Sequence, residues 1–522
     1  MIRIPRLLLA VAASLPFIHH SLEAQDSGPL IDKLVQKGIL SDQEAEDLRV
    51  DLVKDFQNSS AGKINISSPV TELKLYGDGR LRYQYDDQQP QNASAANVTQ
   101  RSRFRYRLRL NADFRLTNNF FGGVQLETGQ ASDSANETVQ PAYTDSAIFI
   151  SRVFLGANIS DWGTLVLGKQ KNPFYTTDLI WDADISPYGV TESIAFDKLF
   201  SSGGTSGEVA SGGYSKDGKT PVAYTSGGTE GSNWGGFKLS LVAGQFVYDT
   251  NNSEAAFDGD AKNDAFHFVT QLVASYEFNS KTSVTFAPGF MIYNAADVGG
   301  DGVNIIAANN ETPFTGATGR VDRDNDGIAD FTVDPVTGSL IVLTGDVSGE
   351  TRELAIITAP GEIKFPIGSL NGRFYWDFAY NTSGRERYED VYGFGMLLPS
   401  VGAADELVLT AQRSYTDQDA LAWLTGLEIG AGKGQGAWTL FANYRETGLA
   451  AVDPNLNDSD FALGRLNSRG FKFGATYGIS DAVSVALTGF VTYNLDDRLS
   501  DQFSLANRNA VNTVQFDVNF KF

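Results

Sequence analysis

The sequence contains no cysteine, and this absence excludes disulfide bonds and thiol catalysis. Two of its three histidines, His19 and His20, fall in an apolar N-terminal region, so His267 is the only histidine in the rest of the chain. No later apolar run approaches the ~20 residues that a membrane-spanning helix needs. The formal net charge of -22 argues against nonspecific binding to nucleic acid. Neither a P-loop, a dinucleotide fingerprint nor zinc-ligand spacing is found in the sequence.

The N-terminus has the pattern of an export signal. Arg3 and Arg6 precede the apolar run from Leu7 to Ile18, and a small residue, Ala24, offers a cleavage point. This arrangement is typical of a secretory signal peptide. We therefore predict a cleaved signal peptide over residues 1–24 and an exported mature chain.

Residues 25–60 have helical rather than strand-like spacing. Leu30, Ile31, Leu34 and Val35 form one apolar stripe, and the segment from Ser41 to Glu44 matches a capping box that starts a second helix. We predict a short periplasmic helical hairpin followed by a linker over residues 61–69. Its role is left open between trimer contact, cell-wall contact and a simple spacer.

From Phe104 onward, the segment Arg101–Leu116 alternates between apolar or small residues and basic or polar residues. Successive side chains of a β-strand point to opposite faces, so the arginines line one face and residues such as Phe104 and Leu108 line the other. A helix would scatter both sets around its circumference. The period therefore predicts a strand with one wet face and one apolar face.

The same alternation recurs from Val70 onward, and short turns alternate with long polar connections. Turns are predicted at Asp161 to Gly163, Asn279 to Lys281 and Ser480 to Asp481. Short turns at one end and long loops at the other are typical of outer-membrane barrels, which are also rich in aromatic residues. We predict an all-β transmembrane fold over residues 70–522, an antiparallel outer-membrane β-barrel of about 16 strands.

The final strand supports a membrane-facing placement. Val514, Phe516, Val518, Phe520 and Phe522 alternate with polar residues, so their side would be left uncovered at the edge of a soluble sheet. A last strand that ends in an aromatic residue resembles the signal recognised by the barrel-assembly machinery. We therefore expect outer-membrane lipid and that machinery as partners, the latter through Phe522.

Several stretches resemble the bacterial outer-membrane porins of the "putative porin" family. The resemblance covers nearly the whole mature chain. It rests on VTELKLYGDGRLRYQY (70–85), the arginine strand that follows, LGKQKNPF (167–174), WDADISPYGV (181–190), the closing strand and the helical GILSDQEAEDLRVDLVKDF (38–56). Membership would imply passive diffusion of ions and small solutes, and a homotrimer. It would not imply a particular substrate.

Two charged surfaces are candidates for ion selectivity. The predicted basic wall consists of Lys74, Arg80, Arg82, Arg103, Arg105, Arg107 and Arg109. In sixteen-stranded porins the third external loop commonly folds into the lumen, and here that loop is predicted over 172–219, with Asp178, Asp182, Asp184 and Glu192. A basic wall opposite an acidic loop would create a transverse field that sorts ions. The alternative is that the two sets simply neutralise one another along a wet wall, and the sign of the preferred ion is left open.

A third motif lies within a long external loop predicted over 295–350. Oxygen donors at positions 1, 3, 5 and 9, with glycine at position 6, match the start of a calcium loop. The donors are Asp322, Asp324, Asp326 and Asp330. Position 12 is Val333 instead of glutamate, so the motif is not a complete EF-hand and resembles shorter aspartate-rich calcium repeats. The alternative is a solvated acidic turn, and no other cofactor is predicted.

The sequence favours a water-filled channel for ions and small hydrophilic solutes, located in the outer membrane of a Gram-negative-type envelope. The competing interpretation is a structural or adhesive barrel whose lumen is plugged. An outer-membrane hydrolase would require His267, but no nucleophile motif accompanies it. We therefore predict no catalytic residues and no enzymatic activity.

Overall fold

The computed structural model describes a β-barrel and part of a separate N-terminal helical unit. The described residues are 28–37, 39–41, 43–46, 48, 69–90, 100–116, 119–129, 135–139, 145–200, 213–214, 221–222, 236–249, 265–295, 331–333, 340–342, 354–388, 397–399, 407–409, 414–496 and 508–522. The predicted signal peptide, most of the linker and the aspartate-rich motif from Asp322 to Asp330 lie outside them.

Sixteen antiparallel strands form the barrel, as the alternation predicted. They are β1 Val70–Pro90, β2 Gln100–Leu116, β3 Phe120–Thr128, β4 Ile148–Asn158, β5 Gly163–Lys169, β6 Tyr188–Ala195, β7 Phe237–Asp249, β8 Ala265–Asn279, β9 Thr282–Phe286 with Gly289–Ala295, β10 Ala355–Thr358 with Gly361–Ile367, β11 Leu370–Asn381, β12 Leu421–Gly430, β13 Trp438–Thr447, β14 Ser468–Gly478, β15 Val483–Asn494 and β16 Arg508–Lys521. Pro288 and Pro360 fall at the breaks in β9 and β10, where the missing N–H of proline cannot donate to a ladder.

The barrel closes between its first and last strands. β1 pairs with β2 on one side and with β16 on the other, with Leu81 opposite Val518 and Tyr83 opposite Phe516. Gly77 and Phe522 exchange backbone hydrogen bonds of 2.9 and 3.1 Å. The ring of Phe520 covers Gly79, a position with no room for a Cβ atom. Closure leaves no unpaired sheet edge, which is the condition for a sheet in lipid.

The placement of polar and apolar side chains is the reverse of that in a soluble protein. The outward face carries exposed apolar side chains such as Leu75, Phe104 and Leu487, whereas the inward face buries charged side chains such as Arg82 and Asp517. An apolar outside and a polar inside are typical of outer-membrane barrels. In the part of the chain that the structure describes, no helix has the length and apolarity needed to cross a membrane.

The connections alternate in length around the barrel, with the exception of the long connection between β6 and β7. β4 and β5, β8 and β9, and β14 and β15 are joined by short turns at one end, which we call the turn end; in outer-membrane barrels this end is periplasmic. The opposite end, the loop end, carries longer connections. Two of these, 170–187 between β5 and β6 and 448–467 between β13 and β14, pack against the inward face. We call them the first and second inner loops.

The first inner loop differs in extent from the prediction. The range 172–219 was predicted to be one external loop, but strand β6 lies inside it. Residues from Phe196 onward therefore belong to the connection between β6 and β7, at the turn end. The eight-residue β6 was missed because a strand this short presents too few alternating positions to stand out from a polar loop.

The remaining elements are short. They are α1 Gly28–Gln36, α2 Phe196–Leu199, α3 Gly384–Arg387, the 3-10 helices Asp417–Ala420 and Ala462–Gly464, the strand Glu137–Thr138 beside β2, and three two-stranded ladders formed by Gly213–Tyr214 with Pro221–Val222, Phe331–Val333 with Leu340–Val342, and Leu397–Pro399 with Leu407–Leu409.

Within the N-terminal unit, the start of the second helical segment is capped. Ser41 and Glu44 form reciprocal hydrogen bonds, from the Ser41 N–H to Oε2 of Glu44 at 2.9 Å and from the Glu44 N–H to Oγ of Ser41 at 3.3 Å. Ile31 and Ala45 are buried. The bonds from Ser41 hold the pKa of Glu44 below its usual range. The described residues therefore carry the hydrogen bonds of a capping box.

Candidate functional site in the lumen

The basic wall is a ladder of arginines on β1 and β2. The register places Arg80 directly opposite Arg107 and Arg82 directly opposite Arg105, while Asp78 is opposite Arg109. Side chains opposite each other on one face of an antiparallel pair lie close together, and like charges there are destabilising. The ladder therefore needs carboxylates or anions close to it.

Carboxylates from the wall itself and from the first inner loop supply part of that compensation. Asp78 accepts from Arg107 and from Arg109, each at 2.9 Å. Asp184, in the first inner loop, lies 3.4 Å from Arg107 and 3.6 Å from Arg109. Burial would raise the pKa of Asp184, but the adjacent Arg107 and Arg109 outweigh burial and lower it. Asp184 is thus an anion held against the wall.

The neighbouring arginines are compensated unequally. Arg82 donates to Asp517 at 2.7 Å and to Asp460 of the second inner loop at 3.1 Å. Arg80 donates to the neutral amide of Asn519 at 3.2 Å and lies 3.9 Å from Asp517. Among the wall arginines with a described ion pair, Arg80 therefore has the longest distance from its nearest carboxylate oxygen.

The other predicted wall residues lie closer to the two ends of the barrel than Arg80, Arg82, Arg107 and Arg109 do. Arg103 contacts Asp86 at 3.2 Å, and Arg105 donates to Gln84 and to the Asn136 carbonyl. Lys74 is exposed near the turn end, with its Nζ 5.2 Å from the centre of the Tyr76 ring. All seven predicted wall residues share the inward face of β1 and β2.

The first inner loop is anchored to several strands by polar contacts. Asp377 of β11 accepts hydrogen bonds from the N–H and the hydroxyl of Thr177 at 3.1 and 2.8 Å. Gln271 of β8 donates to the carbonyl of Tyr175 and accepts from its N–H, each at 2.8 Å. These anchors hold Asp184 at the wall, since the loop cannot shift without leaving buried polar groups unpaired.

A buried charge cluster joins the two inner loops to β13 and β14. Lys472 contacts Asp178 of the first inner loop, and it donates to Asp458 of the second at 3.0 Å. Arg445 lies 3.7 Å from Asp178 and 3.2 Å from Asp458. Burial would raise the pKa of Asp178, but Lys472 and Arg445 bring it below its usual range. Asp178 therefore acts as a loop anchor and lies away from the basic wall.

Asp182 lies where the two inner loops meet. Its carboxylate accepts hydrogen bonds from the N–H groups of Asp184 and Ser459 at 3.0 and 3.4 Å. Burial, followed by the nearby carboxylates of Asp184 and Asp458, raises the pKa of Asp182 well above its usual range. The pKa values of the neighbouring carboxyl groups of Asp182 and Asp184 are therefore shifted in opposite directions.

A cluster of aromatic and apolar side chains lies inside the barrel next to β8 and β9. Trp181 of the first inner loop stacks on His267 at 5.5 Å, and His267 stacks on Tyr293 at 4.2 Å between ring centres. Leu449 and Val452 of the second inner loop join the same buried cluster. His267 faces inward, as predicted from its place between Phe266 and Phe268 in an alternating strand. Its described ring contacts are to aromatic side chains.

Glu192 requires a correction. The sequence placed it in the constriction loop, but it lies on β6, opposite Leu165 of β5 and Ala243 of β7. Leu165 is on the outward face, and directly paired residues share a face. Its exposed carboxylate therefore points out of the barrel. Among the described residues, no group of three or more histidine or acidic side chains is arranged to hold a metal ion.

Asp458, Asp460, Arg445 and Lys472 were not singled out from the sequence. The signal that could have found the two aspartates is the segment 457–460 between two predicted strands, in which Asp458 and Asp460 have the same i, i+2 spacing as Asp182 and Asp184 of the first inner loop. Composition does not reveal whether a loop turns inward, however. That outcome depends on Lys472 and Arg445, which lie on separate strands.

The chain is similar to one protein family and to several solved porin structures. The family described as "Putative porin" matches residues 57–321 and 368–522. The comparison with curated proteins finds no match. Similar solved structures include Pseudomonas putida OprB (9% identity, covering 86% of this chain and 94% of that chain, TM-score 0.43). Others are Salmonella typhi OmpF in complex with daunomycin (10%, 88% and 100%, 0.40) and a Rhodopseudomonas blastica porin triple mutant (12%, 86% and 100%, 0.35). Because the family match spans most of the chain, this protein belongs to the putative porin family.

Proposed function

We propose that the barrel is a diffusion channel for ions and small hydrophilic solutes with a modest preference for anions. The family and the fold point to the bacterial outer membrane. The observation that carries the proposal is the arginine ladder of β1 and β2, whose positive charge the carboxylates held against it, including Asp184 of the first inner loop, balance only in part. A net charge of one sign on the wall of a narrow lumen creates a field that acts on passing ions.

The charge balance of the wall supports the sign of the preference. Seven arginines line this part of the inward face: Arg80, Arg82, Arg101, Arg103, Arg105, Arg107 and Arg109. Among the residues that the structure describes, five carboxylates form ion pairs with them: Asp78, Asp86, Asp184, Asp460 and Asp517. Within this part of the chain, the wall therefore has two more arginines than carboxylates paired with them. Local charge dominates the overall negative charge of the chain because the Debye length is only ~8 Å at physiological salt.

Planar-bilayer recording of the refolded protein tests the proposal. Stepwise conductance and a reversal potential shifted toward chloride in a KCl gradient are expected. Arg80→Gln should weaken the anion preference, since Arg80 has a long carboxylate contact and its loss leaves no acid unpaired nearby. Arg469→Gln is the matched control, because Arg469 is an exposed arginine on β14 opposite Glu446, outside the lumen. Equal shifts from the two variants would contradict a selective wall.

A plugged structural barrel is the second candidate, and one observation favours it. The two inner loops bury Trp181, Leu449 and Val452 against the inward face and so fill one side of the lumen. If a correctly folded barrel gave no conductance steps, this candidate would replace the channel. Conductance steps that small polymers reduce and larger polymers leave unchanged would support the channel, and the polymer size at which the reduction ends would report its width.

We further propose a homotrimer exported by a cleaved signal peptide and inserted through its last strand. Light scattering in detergent tests the trimer, and N-terminal sequencing of the mature protein tests cleavage after Ala24. Assembly of a Phe522→Ser variant tests the contribution of the terminal aromatic residue. Calcium binding by Asp322, Asp324, Asp326 and Asp330 remains a prediction, and calorimetric titration of the intact barrel with calcium checks it.

A further inference from the structure

Three polar side chains form a patch on the outward face of the barrel. Glu192 on β6, Gln245 on β7 and Thr270 on β8 are all exposed. The register places Ala243 directly between Glu192 and Thr270, and Gln245 lies two residues further along β7, opposite Val190. Strands are spaced ~4.8 Å apart, so the patch is about 10 Å wide. We call Glu192, Gln245 and Thr270 the outer polar patch.

Aromatic residues mark both ends of the wall around the patch. On β8, outward-facing Phe266 and Phe268 lie toward the loop end, and Tyr276 and Phe278 toward the turn end. Thr270 is six residues from Tyr276, or about 20 Å along a strand that rises ~3.3 Å per residue. Aromatic girdles mark the membrane interfaces of such barrels. Glu192 and Thr270 therefore lie between the girdles, at the level of the hydrocarbon, whereas Gln245 is opposite Phe268 and lies beside the loop-end girdle.

Glu192 differs from another outward carboxylate, Glu446. Glu446 lies one residue from the end of β13, faces Arg469 of β14 and accepts a hydrogen bond from Tyr444 at 2.7 Å. Glu192 makes no hydrogen bond or ion pair with any residue that the structure describes. Its paired neighbours on the same face are Leu165 and Ala243. A carboxylate in this position is costly in lipid unless something polar covers it.

We infer that the outer polar patch is the contact surface between copies of this chain. Lipid tails offer no hydrogen-bond donor, whereas the patch is self-complementary: Glu192 accepts, and Gln245 and Thr270 can donate. Ala243 is small, so two barrel walls can approach closely at this point. Contacts between such groups are the kind that hold membrane segments together without a hydrophobic driving force. The inference rests on the proposed homotrimer and assigns its interface to β6, β7 and β8.

Site-specific photocross-linking in intact cells tests this surface. A benzophenone side chain at position 245 should form a covalent adduct with a second copy, and mass spectrometry should find the attachment on β5 to β8 of that copy. The same side chain at position 425 is the matched control. Thr425 is an outward polar residue on β12, opposite Trp376 and Tyr444, away from the patch.

The outcomes separate the interface from the oligomer. Adducts to lipid alone at position 245, or equal adducts between copies at positions 245 and 425, would overturn the inference. A trimer that cross-links through another face would overturn the interface and leave the proposed trimer intact. A protein that is monomeric in its native membrane would overturn both.

A second measurement does not depend on cross-linking. Glu192→Leu combined with Gln245→Leu should raise the monomer fraction in mild detergent about tenfold, because the polar contacts between copies are lost. Thr425→Leu should leave it unchanged. Heat-modifiable migration on gels and unchanged single-channel steps show that each variant is folded. A folded double variant with the wild-type monomer fraction would also overturn the inference.

Discussion

Replacing Asp184 with asparagine perturbs the lumen at the point where loop and wall meet. The exchange keeps the shape of the side chain and removes one negative charge that lies 3.4 Å from Arg107 and 3.6 Å from Arg109. The two arginines retain Asp78, each at 2.9 Å, so the wall is expected to stay in place. The lumen then gains one net positive charge.

The size of the effect follows from Coulomb's law. An ion passing at a distance of about 6 Å interacts with a unit charge by about 0.7 kcal/mol in water, and screening with a Debye length of ~8 Å reduces this to about 0.3 kcal/mol. That energy corresponds to a factor of about 1.7 for each ion, favourable for the anion and unfavourable for the cation. The ratio of anion to cation permeability should therefore rise roughly threefold, and more if the constriction has a lower effective dielectric constant.

Reversal potentials of single channels in a KCl gradient measure this ratio. The change in reversal potential caused by Asp184→Asn should become smaller at high salt, since dissolved ions screen the charge over a shorter distance. Glu446→Gln is the control, because it removes a carboxylate from the outward face. An unchanged ratio for Asp184→Asn, or a change toward cations, would refute the idea that Asp184 contributes to the field in the lumen.

Three further exchanges test the anchoring of the inner loops. Lys472→Met should destabilise the barrel by about 3–5 kcal/mol, because Asp178 and Asp458 lose a buried counter-ion, and urea unfolding measures this. Trp181→Ala should cost about 3–5 kcal/mol through a cavity beside His267 and should increase current noise, whereas unchanged recordings would argue against packing as the restraint. Asp182→Asn should stabilise the protein more at about pH 8 than at about pH 4. The raised pKa of Asp182 means that its contribution to stability is present below its unfolded pKa and is lost as the pH rises through its folded pKa, so parallel pH profiles of melting temperature would contradict this assignment.

The strands were predictable because their periodicity is local. The alternation around Arg105 and Arg107 identifies the wet face of β2 without any knowledge of its neighbours. The match of Arg80 with Arg107 was not predictable, since it depends on the register between β1 and β2. The error at Glu192 has another cause: the short strand β6 was taken for part of a loop, so the alternation of faces was not applied to Glu192.

The inner loops show a different limit. The acidic character of the first inner loop was visible in the sequence, but its end at residue 187 and the inward course of the second inner loop were not. Asp178 and Asp458 meet at Lys472, and the three residues come from two loops and a strand. No pattern within a single segment encodes such a contact.

The sequence by itself determined the fold class, the approximate number of strands and the alternation of polar and apolar faces, because these properties follow from a two-residue period and from the need to satisfy every backbone hydrogen bond in lipid. Only the tertiary structure decided which charges meet. It paired Asp184 with Arg107 and Arg109, it turned Asp178 into an anchor, and it placed Glu192 on the outer wall. The physical reason is that Coulomb and hydrogen-bond energies depend on distances of a few ångströms, and barrel closure and loop packing set those distances.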